Sequence, residues 1–395
     1  MNVLVLHSEL GVLRGGGENF TRNLFTAFAE RGHRVAAAFV ADRNGSYPIP
    51  LPPAIKAIPI RGWWSRNLGE RLLSVVGRYI PFKSGLKTTW DRFQEAVSWR
   101  AIEWHNRRFR RKVKRQLAWS WKEYDSVYVH GDPILASEVS QYLPTILRLP
   151  GPISTDFSPF LKNVHAVCAN GDALSRTARF LGESLIELPA GVDQRLFNPG
   201  PTVVRSTLRW SDQQWVIGYV GRLTQIKGVD LLAAAFLELS HQLSNMRLLI
   251  IGQGQAEATL RSLLAKQLQD GRAYIELDVD HEQLPQWYRA MDLFVMPSRY
   301  ENHSNAVLEA MACGIPFLAS DIGGNRPLAD TGSGWLFAAG SVSSLVLSLS
   351  NIFSNRGDLK ARGEIGSRYI RERYNWQLSA KRLEEVIISC LGVRG

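Results

Sequence analysis

Two carboxylates and two cations are the residues of this 395-residue chain whose types and spacing best suit chemistry. Glu301 and Glu309 stand eight positions apart in YENHSNAVLEAMACGIPFLAS, residues 300–320. Glu309 interrupts an apolar run formed by Ala306, Val307, Leu308, Ala310, Met311 and Ala312. A lone carboxylate turned into a core is costly unless it is paired. The position therefore faces solvent on a helix surface, or a polar ligand at a cleft. Arg222 and Lys227 flank a glycine turn in GRLTQIKG, directly after the strand-like WVIGYV. Two cations beside a glycine at the C-terminal edge of a parallel strand suit a diphosphate. An ordinary surface Arg/Lys pair is the alternative.

The elements that must position these residues repeat a simple unit. Residues 2–7 (NVLVLH) and 35–40 (VAAAFV) read as buried parallel strands. Between them lie a glycine turn and an amphipathic helix with Phe20, Leu24, Phe25 and Phe28 at helical spacing, stopped at Gly32. Strand, turn, helix and strand make a βαβ unit with a right-handed crossover. Gly15, Gly16 and Gly17 at the helix start either let backbone amides approach an anion or make a tight turn. DSVYVHGDP places His130 at a strand's C-terminal end, where open α/β sheets present ligand groups and where a plain strand-end histidine also fits. From residue 215 the pattern restarts: WVIGYVGRL, RLLIIGQGQ and DLFVMPS are strands, each followed by a turn and a helix. The fold class is α/β, with two doubly wound Rossmann-like domains. Pro199, Gly200 and Pro201 read as a linker. The expected division is 1–199, 200–375 and a terminal helix within 376–395.

Hydrophobic and charged fractions of 45% and 21% are those of a globular protein with ordinary cores. Cys168, Cys313 and Cys390 lie far apart without a C-x-x-C, which predicts reduced core thiols and a cytoplasmic setting. Met1 leads straight into a strand, so no secretory leader is expected. The net charge of +11 is concentrated: residues 61–122 hold 16 Lys or Arg against 4 Asp or Glu. The same insert, read as largely helical, holds Trp63, Trp64, Trp90, Trp99, Trp104, Trp119 and Trp121, seven of the twelve tryptophans. Cations interleaved with tryptophan suit an anionic membrane surface. A solvated helical face and nucleic acid are the other readings, and no reading motif accompanies the charge to favour nucleic acid.

The stretch 300–320 resembles the E-(x)7-E signature of the family 4 retaining glycosyltransferases, matching it at Glu301, Asn305, Leu308, Glu309, Ala310, Met311, Ala312, Gly314, Pro316, Ala319 and Ser320. GRLTQIKG matches that family's G-R-L-x-x-x-K-G in full. The resemblance covers most of 190–380 well and 1–190 loosely. It implies the GT-B fold, with two such domains facing a cleft, an acceptor-binding N-terminal domain, a donor-binding C-terminal domain and a terminal helix (378–391) returning to the first. It implies a catalytic set of Arg222, Lys227, Glu301 and His130. Arg222 and Lys227 would stabilise the diphosphate leaving group, and Glu301 and Glu309 would accept from donor-sugar and ribose hydroxyls. Gly221, Gly252, Gly254, Asn302, His303, Ser304 and Asn305 would complete the donor site. Gly16, Gly17 and Glu18 would form the acceptor and phosphate loop, and His130 would lie at the donor-sugar edge.

By the same resemblance the reaction moves a hexose-type sugar, with retention and without a metal or other cofactor. No carboxylate nucleophile stands out in the N-terminal half beyond Asp132 and Asp156, which favours front-face transfer. Asp278-Val279-Asp280 has the form of a D-x-D metal motif but belongs to a different glycosyltransferase fold. Asn302-His303 replaces the usual Gly-Phe after the first glutamate, and residues 323–327 lack a common glutamate. With Arg/Trp helices in the acceptor domain, the expected acceptor is a glycan or lipid-linked intermediate of bacterial envelope polysaccharide or lipopolysaccharide biosynthesis. The expected setting is the cytoplasmic face of the membrane, as a peripheral protein. Two rivals stand: a nucleotide-sugar epimerase or soluble-acceptor synthase on this fold, and a basic membrane- or nucleic-acid-binding protein with an inactive core.

Overall fold

The computed structural model describes residues 1–12, 16–61, 103–118, 120–153, 157–181 and 185–392. Trp63, Trp64, Trp90, Trp99 and Trp119 of the basic segment, Gly15 of the glycine turn and Asp156 lie outside the described residues. The chain folds as two compact units: Met1–Ala169, Thr177–Leu188 and Ala380–Gly395 form unit 1, and Asn170–Arg176 and Pro189–Ser379 form unit 2.

Unit 1 is built on a seven-stranded sheet of order β3-β2-β1-β4-β5-β6-β7, every neighbouring pair parallel. Its strands are β1 (Asn2–Leu6), β2 (Arg34–Ala41), β3 (Ile55–Arg61), β4 (Ser126–His130), β5 (Thr145–Arg148), β6 (Ala166–Ala169) and β7 (Leu185–Glu187). Val3, Leu4, Val5 and Leu6 are all buried, as a parallel strand covered on both faces requires. Helix α1 (Gly16–Glu30) lays Phe20, Leu24, Phe25 and Phe28 into the core. Each such side chain contributes about 1.5–3 kcal/mol by leaving water. The chain then turns at Gly32, φ +89°. Helix α2, residues 103–117, buries Phe109, Val113 and Leu117 on one face. Arg110 in the same helix donates Nε to Asp132 Oδ1 and Oδ2 at 3.0 and 2.8 Å. Asp132 also caps α3 (Pro133–Val139) by accepting from Leu135 N. Glu384, on the terminal helix Trp376–Gly392, accepts from Arg31 Nε at 2.9 Å and lies 3.2 Å from His33 Nε2.

Unit 2 holds a six-stranded parallel sheet of order β10-β9-β8-β11-β12-β13. The strands are β8 (Trp215–Val220), β9 (Met246–Ile251), β10 (Ala273–Glu276), β11 (Leu293–Met296), β12 (Phe317–Ser320) and β13 (Gly334–Phe337). Helix α4 (Gly171–Leu181) starts in this unit and passes out of it after Arg176. Helices α5 (Val229–Ser240) and α6 (Asn305–Ala312) follow β8 and β11. Ser304 caps α6 through Val307 N, and the helix ends ahead of Gly314, φ +79°. The main span of this unit starts at Pro189, not at the 199–201 linker read from the sequence. The reason is long-range pairing: Val192 N donates to Tyr374 O at 2.9 Å, Gln194 Nε2 to Ile370 O at 3.1 Å, and Arg289 Nε to Asn198 O at 2.8 Å. Cys168, Cys313 and Cys390 are buried free thiols.

Each sheet reverses its strand order once, between β1 and β4 and between β8 and β11. Crevices outside the carboxyl ends of strands at such a reversal are where open α/β sheets bind ligands. Gly16–Glu18 follow β1 and His130 ends β4, while Arg222–Lys227 and Glu301 follow β8 and β11.

Candidate functional site

In unit 2 the turn after β8 is shaped by close backbone approaches. Gly252 sits at φ +138°, and a Cβ there would meet Gly221 O at 1.9 Å. At Gly254 a Cβ would meet Leu223 O at 2.3 Å, so the turns after β8 and β9 lie backbone to backbone. Tyr219 donates its hydroxyl to Arg222 O at 2.8 Å. The Arg222 side chain is exposed and forms no ion pair among the described residues. Residues Gln225–Lys227 form a 3-10 turn closed by Gly228 at φ +66°, where a Cβ would strike Pro297 O at 1.9 Å. Arg299 fastens this turn to the loop after β11. Its guanidinium takes Asp230 in a two-pronged pair at 2.8 and 2.7 Å, and its main-chain N donates to Ile226 O at 2.8 Å. That pairing, foremost the hydrogen bonds from Arg299, holds the Asp230 carboxyl below its ordinary range.

The consequence is a direct contact: Lys227 Nζ lies 2.5 Å from Glu301 Oε2, with both side chains largely buried. Ser298 Oγ reaches the same oxygen at 3.3 Å. Both of these contacts are made by Oε2 of Glu301. Glu309, on the second turn of α6, is held by different partners. Tyr288 donates to Oε2 at 2.9 Å, and His281 Nε2 lies 3.4 Å from Oε1. Burial raises the Tyr288 hydroxyl well above its ordinary range, so it stays a donor. The Glu309 hydrogen bond raises His281, against the pull of burial. Phe197 packs edge-on against both rings.

Unit 1 gathers a second cluster. The His7 and His130 rings stack at 4.0 Å and 10°. Thr21 Oγ1 donates to Gly17 O at 3.1 Å and lies 3.0 and 3.4 Å from His7 Nδ1 and His130 Nδ1. The hydroxyl thus ties the first turn of α1 to both rings. Burial, then His7 and Arg148, hold His130 far below its ordinary pKa, so it is neutral. Its Nε2 lies 2.8 Å from where a Cβ at Gly17 would stand, so any side chain there would press on the ring. Glu18 Oε1 is 3.6 Å from His7 Nε2.

Thus the sequence-predicted residues fall into local sets. Lys227 and Glu301 touch; Glu309 lies along the same sheet edge with its own partners; Asn302, His303 and Ser304 form the loop between Glu301 and Asn305, the first residue of α6. Gly17, Glu18 and His130 meet in unit 1, next to Gly16 at the start of α1. Asp132 is committed to Arg110 and Leu135 N and is no free nucleophile. Asp278 accepts from Gln253 Nε2 at 3.0 Å. No cluster of three metal-ligating side chains occurs among the described residues. His281, Tyr288, Ser298, Arg299, His7 and Thr21 went unread. Only His281, next to the D-x-D, carried any local signal.

Residues 203–369 match the family described as Glycosyl transferases group 1. The lipopolysaccharide core biosynthesis mannosyltransferase LpsB of Rhizobium meliloti (strain 1021) is 30% identical over 219 residues, 52% of this chain and 61% of that protein. A GDP-mannose-dependent monoacylated alpha-(1-6)-phosphatidylinositol monomannoside mannosyltransferase of Corynebacterium glutamicum is 28% identical over 213 residues, 51% of this chain and 55% of that one. The chain thus spans less than two thirds of the length of these relatives. In fold it is similar to a sucrose-phosphate synthase from Thermosynechococcus elongatus, with TM-score 0.77, 19% identity and 99% of both chains covered.

Proposed function

We propose that this chain, whose residues 203–369 match the group 1 glycosyl transferases and whose fold is like that of a sucrose-phosphate synthase, is a family 4 type GT-B protein that transfers a hexose-type sugar from a nucleoside diphosphate donor to a glycan or lipid-linked acceptor. The observation that carries this reading is the Lys227–Glu301 contact at the strand-order reversal, at 2.5 Å. It sets a phosphate-seeking cation beside a carboxylate that can accept from sugar hydroxyls. Arg222 and Lys227 meet the charge that grows on the departing diphosphate. The acceptor hydroxyl oxygen bonds to the anomeric carbon as the carbon–phosphate oxygen bond breaks. A leaving-group oxygen on the same face takes the hydroxyl proton, so configuration is retained. The two cations supply the charge, and no metal is invoked. Glu309 accepts from the ribose diol. Chelator-treated protein turning over a UDP-, GDP- or ADP-sugar into an acceptor product of retained anomeric configuration supports this scheme. Loss of turnover with the metal, or an inverted product, contradicts it.

The basic segment supports an acceptor held at a membrane. On α2, a concavity of about 590 Å³ is lined by Arg108, Arg111, Lys112, Lys114, Arg115 and Ala118. Each cation near anionic lipid adds about 1 kcal/mol of attraction. Among the described residues no helix is long and apolar enough to cross a membrane. The relatives' names, one in lipopolysaccharide core synthesis and one acting on a phosphatidylinositol mannoside, favour an envelope glycan or glycolipid acceptor.

A further inference from the structure

We propose that Asn302 is a positioning residue for Glu301, seating the acid-bearing loop on segment 170–173 and so setting the geometry of the donor sugar. The proposal rests on the reading of Glu301 as the donor-sugar acid.

The first amides of a helix have no partner within it. At the start of α4, two of them are satisfied by one distant residue. Asp172 N donates to Asn302 O at 2.9 Å, and Ala173 N donates to Asn302 Oδ1 at 2.7 Å. Asn302 Nδ2 lies 3.5 Å from Asn170 Oδ1. All of these residues belong to unit 2. The space around the asparagine is made by glycines from two other stretches. A Cβ at Gly171, φ +58°, would meet Asn302 O at 2.1 Å; at Gly324 it would meet the same oxygen at 2.3 Å. At Gly323 it would meet Asp172 Oδ1 at 2.7 Å. Two separated stretches, 170–173 and 323–324, therefore close on the main chain of this one residue, adjacent to Glu301. On its other side, Ser304 caps α6. The loop is fixed at both ends, and Glu301 points at Lys227 because it is. A glycine at 302, the residue usual in the motif this stretch resembles, keeps the carbonyl contact and loses the amide seat.

Four variants of the full chain test this, read by kcat, donor KM, calorimetric binding of the nucleoside diphosphate alone, and amide exchange. Asn302→Gly and Gly171→Ala are expected to lose about tenfold or more in kcat, the scale of a misplaced reacting group. Their nucleoside diphosphate affinity stays at the wild-type level, and exchange at Ala173 N quickens. Asn302→Asp retains the accepting oxygen and restores most of kcat. Gly271→Ala, with φ +66° and nothing within 4 Å of its Cβ, controls for backbone strain and stays at wild-type kcat. Wild-type kcat in Asn302→Gly overturns the proposal, as does a loss of diphosphate affinity equal to the loss in kcat. Should either variant fail to fold, the other and the aspartate rescue still decide. Full activity in Glu301→Gln would instead strike the function assigned to Glu301, while amide exchange still reads the Asn302 seat itself.

Discussion

Lys227 and Glu301 cancel part of each other's charge; in the proposed scheme a donor diphosphate competes for the ammonium. Removing the cation takes away an interaction that strengthens as the leaving group departs, so Lys227→Ala is expected to cost about a hundredfold or more in kcat. It also leaves Glu301 largely buried with Ser298 as its remaining partner, so some of that loss is misplacement of the acid. Steady-state kinetics of Lys227→Ala beside Lys227→Arg check this; equal kcat in wild type and the alanine variant sinks the leaving-group role. His281 gives a pH test. Its pKa is raised by the hydrogen bond with Glu309, against burial, with Glu282 and Asp193 adding to the rise. A raised histidine pKa means the pair's contribution is complete below the unfolded value of about 6.5 and is lost as pH rises through the folded value. In the proposed scheme the charged ring competes with the ribose diol for Glu309. Donor KM is therefore expected to fall as pH climbs from below 6.5 through the raised pKa, and His281→Ala is expected to flatten that profile. A KM independent of pH in the wild type contradicts it. The two glutamates and two cations were legible because their types and spacing are local. Tyr288 and His281 were not, since their partner Glu309 lies 21 and 28 positions away.

The turns are the elements on which the site depends most. Gly252→Ala puts a Cβ 1.9 Å from Gly221 O at φ +138° and is expected to destabilise the chain by about 1–3 kcal/mol. Ser304→Ala removes the α6 cap and is expected to cost about 1 kcal/mol. Denaturant unfolding measures both, and a Gly252→Ala chain as stable as wild type contradicts the backbone-to-backbone account. At this scale the sequence was readable wherever physics left a local mark. Continuous apolar runs such as NVLVL and WVIGYV became buried parallel strands, and Gly221 stands directly at the carboxyl end of the second. The seat of Asn302 left no mark, because its partners at 172 and 173 are joined to it only by folding. Arg299, which brings the Lys227 turn to the β11 loop, was hidden for the same reason.

Across the whole molecule, charge is the most uneven property: the 61–122 stretch carries a net +12, 16 Lys or Arg against 4 Asp or Glu, in a chain whose total is +11. The described part of it presents Arg108, Arg111, Lys112, Lys114 and Arg115 along one helix. Vesicle co-sedimentation is expected to show binding to anionic but not neutral lipid, weakening as salt shortens the Debye length from about 10 Å at 0.1 M. Equal binding to both lipids contradicts the membrane reading. The two-sheet plan was legible from repeated strand–turn–helix units. The division of the chain between the units was not, because the pairs that draw residues 189–199 to unit 2 involve Tyr374, Ile370 and Arg289, remote in sequence. The most direct measurement is a thermal-shift panel of UDP-, GDP- and ADP-sugars on wild type and Lys227→Ala. One sugar nucleotide is expected to stabilise the wild type, by about 2.7 kcal/mol at 100 times its dissociation constant, and the variant much less. A wild type indifferent to all of them, or a variant shifted as far as the wild type, would contradict the diphosphate site at Lys227 and Glu301.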